Sequence, residues 1–267
     1  MHMNQSELLN IAIETAIKAG LGIMPIYQSD DFNISEKENK TPLTKADLAA
    51  NEIISTQLLK TNIPILSEEG SITSFETRKT WKKLWIVDPI DGTKEFIKRN
   101  DEFTVNIALI ENGQPVIGVI YAPALKTLYF ASMITGTYKI EDIDSYHSVE
   151  RLIELGQKLP LQNQLETFTV VASRSHPSME TSMFIDALRK KHGEVNTLSI
   201  GSSLKLCMIA EGSANVYPRF APTMEWDIAA GHAICLFAKA NVIDVKTEKQ
   251  MTYNRENLTN NWFMAST

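Results

Sequence analysis

Apolar residues recur along this chain at two spacings, and the spacing changes with position. Leu8, Leu9, Ala12, Ile13, Ala16, Ile17 and Ala19 lie three and four residues apart, which predicts a helix over Ser6–Gln28 capped by Ser6. The polar stretch Asp30–Lys40 reads as a loop or hairpin, and Thr44–Leu59 as a second helix capped by Thr44. Ile63–Leu66 and Leu84–Val87 are short apolar runs expected to be strands. Phe103–Glu111, Gln114–Tyr121 and Thr127–Ala131 are rich in Val, Ile and Tyr, and Asn112-Gly113 between the first two is a hairpin signal, so an antiparallel meander is expected. From Ile140 to Thr167 the chain turns polar and irregular, which marks the best candidate for a domain boundary. Beyond it, strands expected at Phe168–Ala172, Val195–Ser199 and Ala214–Tyr217 alternate with helices at Ser178–Lys191, Ser202–Glu211 and Met224–Ala238. The fold class expected is α/β, with an α+β domain over residues 1–147 and an α/β domain over residues 148–267.

Composition narrows the function. The 267 residues are 43% hydrophobic and 22% charged, a globular balance with enough apolar surface for a large core. Net charge is -6 and no dense run of Lys and Arg occurs, so no nucleic-acid surface is expected. An acidic chain that handled a phosphorylated ligand would need local positive charge, and a bound cation would supply it. Cys207 and Cys235 both sit in apolar segments and read as buried, reduced thiols; their spacing fits no zinc site. Met1–Leu9 carries no apolar signal core, and no apolar run reads as a bilayer span, since Pro, Gly or charge interrupts each one. The location expected is the cytoplasm, with peripheral contact at the cytoplasmic face of the inner membrane left open.

The strongest local signal is Trp85-Ile86-Val87-Asp88-Pro89-Ile90-Asp91-Gly92-Thr93. An apolar strand ends in two aspartates three residues apart, and Pro89 predicts a sharp turn there rather than a continuing strand. Two carboxylates on one tight turn repel unless a cation lies between them, and hard divalent cations prefer such oxygen ligands. Gly92 would let backbone approach a ligand closely. The N–H groups of Gly92 and Thr93 would then face an anion at the start of a short helix. Ser67-Glu68-Glu69-Gly70 closes the preceding strand, and Glu225-Trp226-Asp227 opens an apolar helix. Taken alone, Asp227 reads more simply as a helix cap and Glu68 as a solvated loop charge.

Together, Ser67-Glu68-Glu69, Asp88-Pro89-Ile90-Asp91-Gly92-Thr93 and Glu225-Trp226-Asp227-Ile228-Ala229-Ala230-Gly231, with Thr41-Pro42-Leu43-Thr44-Lys45-Ala46-Asp47 upstream, resemble the inositol monophosphatase superfamily over nearly the whole chain. Lys40, Ser173-Arg174-Ser175-His176, Gly201-Ser202-Ser203-Leu204-Lys205, Tyr217-Pro218-Arg219 and His232-Ala233 bring it nearest the bacterial 3'(2'),5'-bisphosphate nucleotidase branch. That resemblance implies a layered α-β-α-β-α sandwich. It also implies hydrolysis of adenosine 3',5'-bisphosphate to AMP and phosphate. The metal ligands it implies are Glu68, Asp88, the Ile90 carbonyl, Asp91 and Asp227, holding two or three Mg2+ ions. The catalytic residues implied are Glu68, Thr93 and Asp47, with Asp47 bonded to the Thr93 hydroxyl. Substrate contacts would come from Ile90, Asp91, Gly92, Thr93, Ser202, Lys205 and Asp227.

Ser202 and Lys205 would bind a second phosphate; the plainer alternative has Ser202 capping a helix and Lys205 in solvent. Ser173–His176 would touch the nucleotide or form an ordinary loop, and His232 reads as structural. Ile228 and Ala221 depart from the pattern, where threonine and glycine are common, and bear on the pocket rim. An inositol or sugar monophosphatase and a catalytically silent phospho-ligand sensor are the alternatives. The partner expected is a small phosphorylated nucleotide, and the assembly a monomer or homodimer.

Overall fold

The computed structural model describes residues 3–29, 32, 35–36, 42–71, 73–162, 165–172 and 178–267. The first helix, α1 (Gln5–Tyr27), starts one residue before the expected cap. Its cap is Asn4, whose side chain accepts from the Glu7 N–H at 3.0 Å while Glu7 accepts from the Asn4 N–H at 2.7 Å. This reciprocal pair satisfies two orphan donors, where Ser6 would satisfy one. By length and composition α1 could cross a membrane, contrary to the reading that Pro, Gly and charge interrupt it; the helix runs unbroken through Gly20 and Gly22 to Pro25. Half of its apolar window is buried inside the fold.

The strands β1 (Ser35–Glu36) and β2 (Pro42–Leu43) pair antiparallel as a small ribbon. The helix α2 (Lys45–Leu58) follows, capped by Thr44 as the pattern predicts. Next come β3 (Ile65–Ser67), the short helix α3 (Phe75–Arg78), β4 (Lys83–Asp91) and α4 (Thr93–Lys98). The meander is β5 (Thr104–Glu111), β6 (Gln114–Ala122) and β7 (Thr127–Ser132), and it continues into β8 (Gly136–Ile140). Asn112 at φ 50 and Gly113 at φ 77 form the two-residue turn between β5 and β6.

The stretch expected to be irregular contains α5 (Val149–Leu155) and β9 (Gln157–Leu159). Its polarity reflects short elements with only one buried face, a pattern too brief for periodicity to register. β9 pairs with β8 and completes a seven-stranded sheet in the order β3-β4-β5-β6-β7-β8-β9. The chain then runs through β10 (Phe168–Ala172), α6 (Met179–His192), β11 (Val195–Ser199), α7 (Leu204–Glu211), β12 (Val216–Arg219) and α8 (Glu225–Phe237). It ends with β13 (Asn241–Asp244), β14 (Lys249–Gln250) and β15 (Phe263–Ser266), three strands the pattern does not predict. The second sheet is β11-β10-β12-β15-β13-β14, parallel at β10–β11 and β10–β12 and antiparallel beyond.

Side-chain alternation assembles the layers. On β4, Trp85 and Val87 join a core with α1 and α2, while Leu84 and Ile86 face a second core containing α7 and α8. That second core also takes Val171, Tyr217, Val242 and Phe263 from the other sheet. Ile185 of α6 closes its far side against Val170, Val195 and Val216. The order is therefore helix pair, sheet, helix pair, sheet, helix: the layered α-β-α-β-α sandwich expected.

The α8 helix lies between both sheets, and its seat on β6 is unusually tight. A Cβ at Gly118 would fall 2.6 Å from the Ala233 Cβ and still nearer the Ala230 carbonyl oxygen. Gly118→Ala is expected to destabilise by about 2 kcal/mol or more, because backbone rather than a flexible side chain must yield. Chemical denaturation read by tryptophan fluorescence checks this; an unchanged midpoint would show that α8 is not held at this contact.

Candidate active site

The site begins with a defect in a strand. β4 stays in register with β5 up to the Asp88–Asn106 pair, then slips before the Asp91–Thr104 pair. The turn predicted at Pro89 is instead this bulge inside a continuing strand. Proline is tolerated there because its missing N–H would have had no ladder partner. The bulge has a chemical consequence. Residues three apart on a regular strand face opposite sides, but here Asp88 and Asp91 line one cleft of about 300 Å3 together with Ile90 and Thr93.

Two other elements bring carboxylates to the same cleft. The Glu68 N–H donates to the Val87 carbonyl at 3.1 Å, which holds Glu68 beside β4 just past the end of β3. Asp227 lies in the first turn of α8, and its Oδ2 accepts from the Met224 N–H at 2.8 Å. Asp227 thus closes the capping box of α8 and also lines the cleft. One carboxylate oxygen each from Glu68, Asp88 and Asp227 lies within 4.8 Å of the others. At the start of α4 the Thr93 hydroxyl donates to Asp47 Oδ1 at 3.3 Å. Asp47 Oδ2 in turn accepts from the Thr44 N–H and hydroxyl at 2.7 and 2.6 Å. The N-terminal cap of α2 thus fixes the orientation of the Asp47 carboxylate.

Gathering these groups costs electrostatic energy. Burial, and then the neighbouring Asp91 charge, push the Asp227 carboxyl up to about 8. Burial raises Asp91 to about 6, against the Lys205 charge that pulls it down. Asp88 rises well above the usual carboxylate range, by burial first and then by Glu68, Asp91 and Asp227. A cluster of anionic oxygens that take protons this readily fits a hard divalent cation, which would neutralise them in place of protons.

A second cleft of about 290 Å3 adjoins the first and shares Asp91, Gly92, Lys94, Glu95 and Asp227 with it. Gly92, at φ 92, caps α4 in the left-handed region; a side chain there would also press on the Glu102 carbonyl and Ser202 Cβ. Ser202 and Lys205 line this cleft, but neither does what the plainer alternative expects. The residue at the α7 cap is Ser203, and the Ser202 hydroxyl is enclosed without a hydrogen-bond partner at a backbone φ of 48. Lys205 is buried rather than solvated. Its Nζ donates to the Ser202 and Ile200 carbonyls at 2.6 and 3.2 Å and lies 5.7 Å from the Tyr217 ring centroid. Burial lowers Lys205 to about 8, opposed by the Asp91 charge.

Arg219, Lys94 and Glu95 border the cleft too, and the sequence reading names none of them as site residues. Their signal is only position: Lys94 and Glu95 directly follow Gly92-Thr93, and Arg219 ends the Tyr-Pro-Arg string. Ile228 and Ala221, the two departures, lie on its wall. His232 is fully buried away from the cleft, within 2.9 Å of the Tyr253 hydroxyl and 3.1 Å of Gln250 Oε1, a structural placement. Cys207 and Cys235 are buried free thiols. Lys40, Thr41 and Ser173–His176 lie outside the described residues.

Comparison with known proteins agrees with this geometry. A model of the inositol monophosphatase family matches residues 4–265. The chain belongs to the inositol monophosphatase family. Family members are metal-dependent, and among the described residues Glu68, Asp88 and Asp227 form a group that could hold an ion. The 3'(2'),5'-bisphosphate nucleotidase CysQ of Salmonella typhimurium is 45% identical over 240 residues, 89% of this chain and 90% of the relative. Its Escherichia coli K12 namesake is 41% identical over 97% of this chain and 99% of the relative. The crystal structure of CysQ from Bacteroides thetaiotaomicron superposes with a TM-score of 0.92 at 48% identity, covering 98% of both chains.

The raised carboxyls predict a pH-dependent response to metal. Because Asp227 binds its proton more tightly folded than unfolded, ion-free stability falls as pH rises from near 4 to about 8. Mg2+ should reverse that loss, so its increment in Tm is expected to be larger at pH 8 than at pH 5.5 by about 3 °C. Thermal melts with EDTA and with excess Mg2+ measure it; equal increments at both pH values would contradict the clustering.

Proposed function

We propose that this chain is a magnesium-dependent phosphomonoesterase that hydrolyses adenosine 3',5'-bisphosphate and related 3'-phosphoadenosine compounds to AMP and phosphate. One observation carries the reading: an acidic cleft suited to cations opens directly into a second cleft lined by Lys205, Arg219 and Lys94. A substrate with two phosphates spans such a pair naturally, one at each end. The relatives named as bisphosphate nucleotidases, at 41–45% identity, support the same substrate.

In this reading Glu68, Asp88, Asp91, Asp227 and the Ile90 carbonyl hold two or three Mg2+ ions. When bound, the ions neutralise charge on the reacting phosphate and acidify the attacking water. The Thr93 hydroxyl donates to Asp47 and accepts a hydrogen bond from that water; a proton the water gives up moves to Thr93 as the Thr93 proton moves to the Asp47 carboxylate. Glu68 lines the same cleft and accepts a second hydrogen bond from the water. The N–H groups of Gly92 and Thr93 receive the phosphate that is transferred. No covalent phosphoenzyme is needed. Lys205 and Ser202 take the second phosphate, whose charge compensates the cost of keeping the buried ammonium protonated. A cytoplasmic location accompanies this reading.

Phosphate release from adenosine 3',5'-bisphosphate and from inositol 1-phosphate, measured side by side with and without Mg2+, tests the assignment. Magnesium-dependent turnover of the bisphosphate at higher kcat/KM is expected. Preference for inositol 1-phosphate would make the chain an inositol or sugar monophosphatase, and no release from either would make it a sensor. Asp91→Asn should lower kcat about a thousandfold without unfolding the protein. Lys205→Met should raise KM for the bisphosphate about tenfold or more, the loss of one charge-assisted contact. It should have little effect on a substrate with a single phosphate.

A further inference from the structure

Behind Asp91 lies a closed group of polar side chains. Thr104 is 0% exposed, Asn106 1% and Ser203 4%. Thr104 and Asn106 stand two apart on β5 and so share a face, and Ser203 arrives from the start of α7. Neither Thr104 nor Asn106 borders either cleft. Asn106 Oδ1 lies 3.0 Å from the Thr104 hydroxyl and 2.9 Å from that of Ser203, and the hydroxyls are 2.8 Å apart. Three oxygens thus share two protons, and at least one hydroxyl must donate to the amide carbonyl. That sets the direction of the amide: its Nδ2 faces Asp91 Oδ2 at 3.5 Å, where a flipped amide would set its oxygen against the carboxylate. The Ser203 N–H acts on Asp91 as well, holding its carboxyl down against burial.

We propose that Asn106 is a positioning residue, aligned by Thr104 and Ser203, that holds the Asp91 carboxylate in the orientation it needs to take a divalent cation. The inference rests on the reading of Asp91 as a metal ligand. Partners that orient a ligand carboxylate contribute ten- to hundredfold in metal affinity, roughly, although they never touch the ion.

The test is binding of Mn2+ to the substrate-free protein, followed through the electron paramagnetic resonance signal of free Mn2+, with wild type, Asn106→Leu, Thr104→Val, Thr104→Ser and Asp91→Asn. Asn106→Leu should weaken binding about tenfold. Thr104→Val, which keeps shape but loses the hydroxyl, should weaken it in the same direction by less, and Thr104→Ser should restore it. Where binding is lost, half-saturating Mg2+ for turnover should rise while KM for the bisphosphate stays within about twofold. Wild-type binding by both Asn106→Leu and Thr104→Val overturns the proposal; if Asn106→Leu does not fold, wild-type binding by Thr104→Val alone does so. Equal weakening by Thr104→Ser and Thr104→Val also overturns it, since packing would then be the cause. If Asp91→Asn itself binds Mn2+ like wild type, the metal reading fails; if only Asp91→Asn loses binding, this inference fails alone.

Discussion

Repulsion among carboxylates is the constraint around which this molecule is arranged. Glu68, Asp88, Asp91 and Asp227 come from a strand end, a bulge and a helix start, and the other three each raise the cost of ionising Asp88. An isolated cluster of this kind would disperse. It persists because each member is also tied to backbone that the cores hold in place. Asp227 caps α8, Glu68 hangs from the β4 ladder, and Asp88 accepts from the Ile90 N–H at 3.1 Å. Hydrophobic burial on both faces of the first sheet supplies the free energy that keeps like charges together.

The same tethers explain why the acidic and basic clefts stay distinct. Asp91 lies in both walls and is balanced between Lys205 on one side and the carboxylates on the other. Lys205 spends two donors on backbone carbonyls, which sets the distance between the ammonium and the acidic cleft before any ligand arrives. Pre-set charge of this kind reduces the reorganisation required when a polyanion enters.

Much of this was legible in the sequence, and the limits have physical causes. Long helices with one buried face, such as α1 and α2, announce themselves by spacing, and the β5–β6 hairpin by its Val- and Ile-rich runs on either side of Asn112-Gly113. The Asp-Pro-Ile-Asp-Gly-Thr string carries its chemistry in adjacent letters. Short edge elements do not: β9, β13, β14 and β15 owe their existence to strands already in place, a tertiary effect invisible to local pattern. Pro89 misleads for the same reason, because only its partner strand shows that the turn is a bulge. Asp227 was ambiguous in the sequence since capping and ligation favour one residue type at one place. Arg219 showed only as the end of the Tyr-Pro-Arg string and Asn106 left no signal, as both matter only through what folds against them.

The seam between Gly118 and the Ala230 carbonyl sets how this chain can drift. The Ala233 methyl could be removed to make room, but the Ala230 carbonyl cannot, so no single side-chain change fully compensates an enlargement at residue 118. The carbonyl yields only if α8 moves. An enlargement at 118 would therefore reach the acidic cleft from a distance, because the helix it pushes carries Asp227 in its first turn.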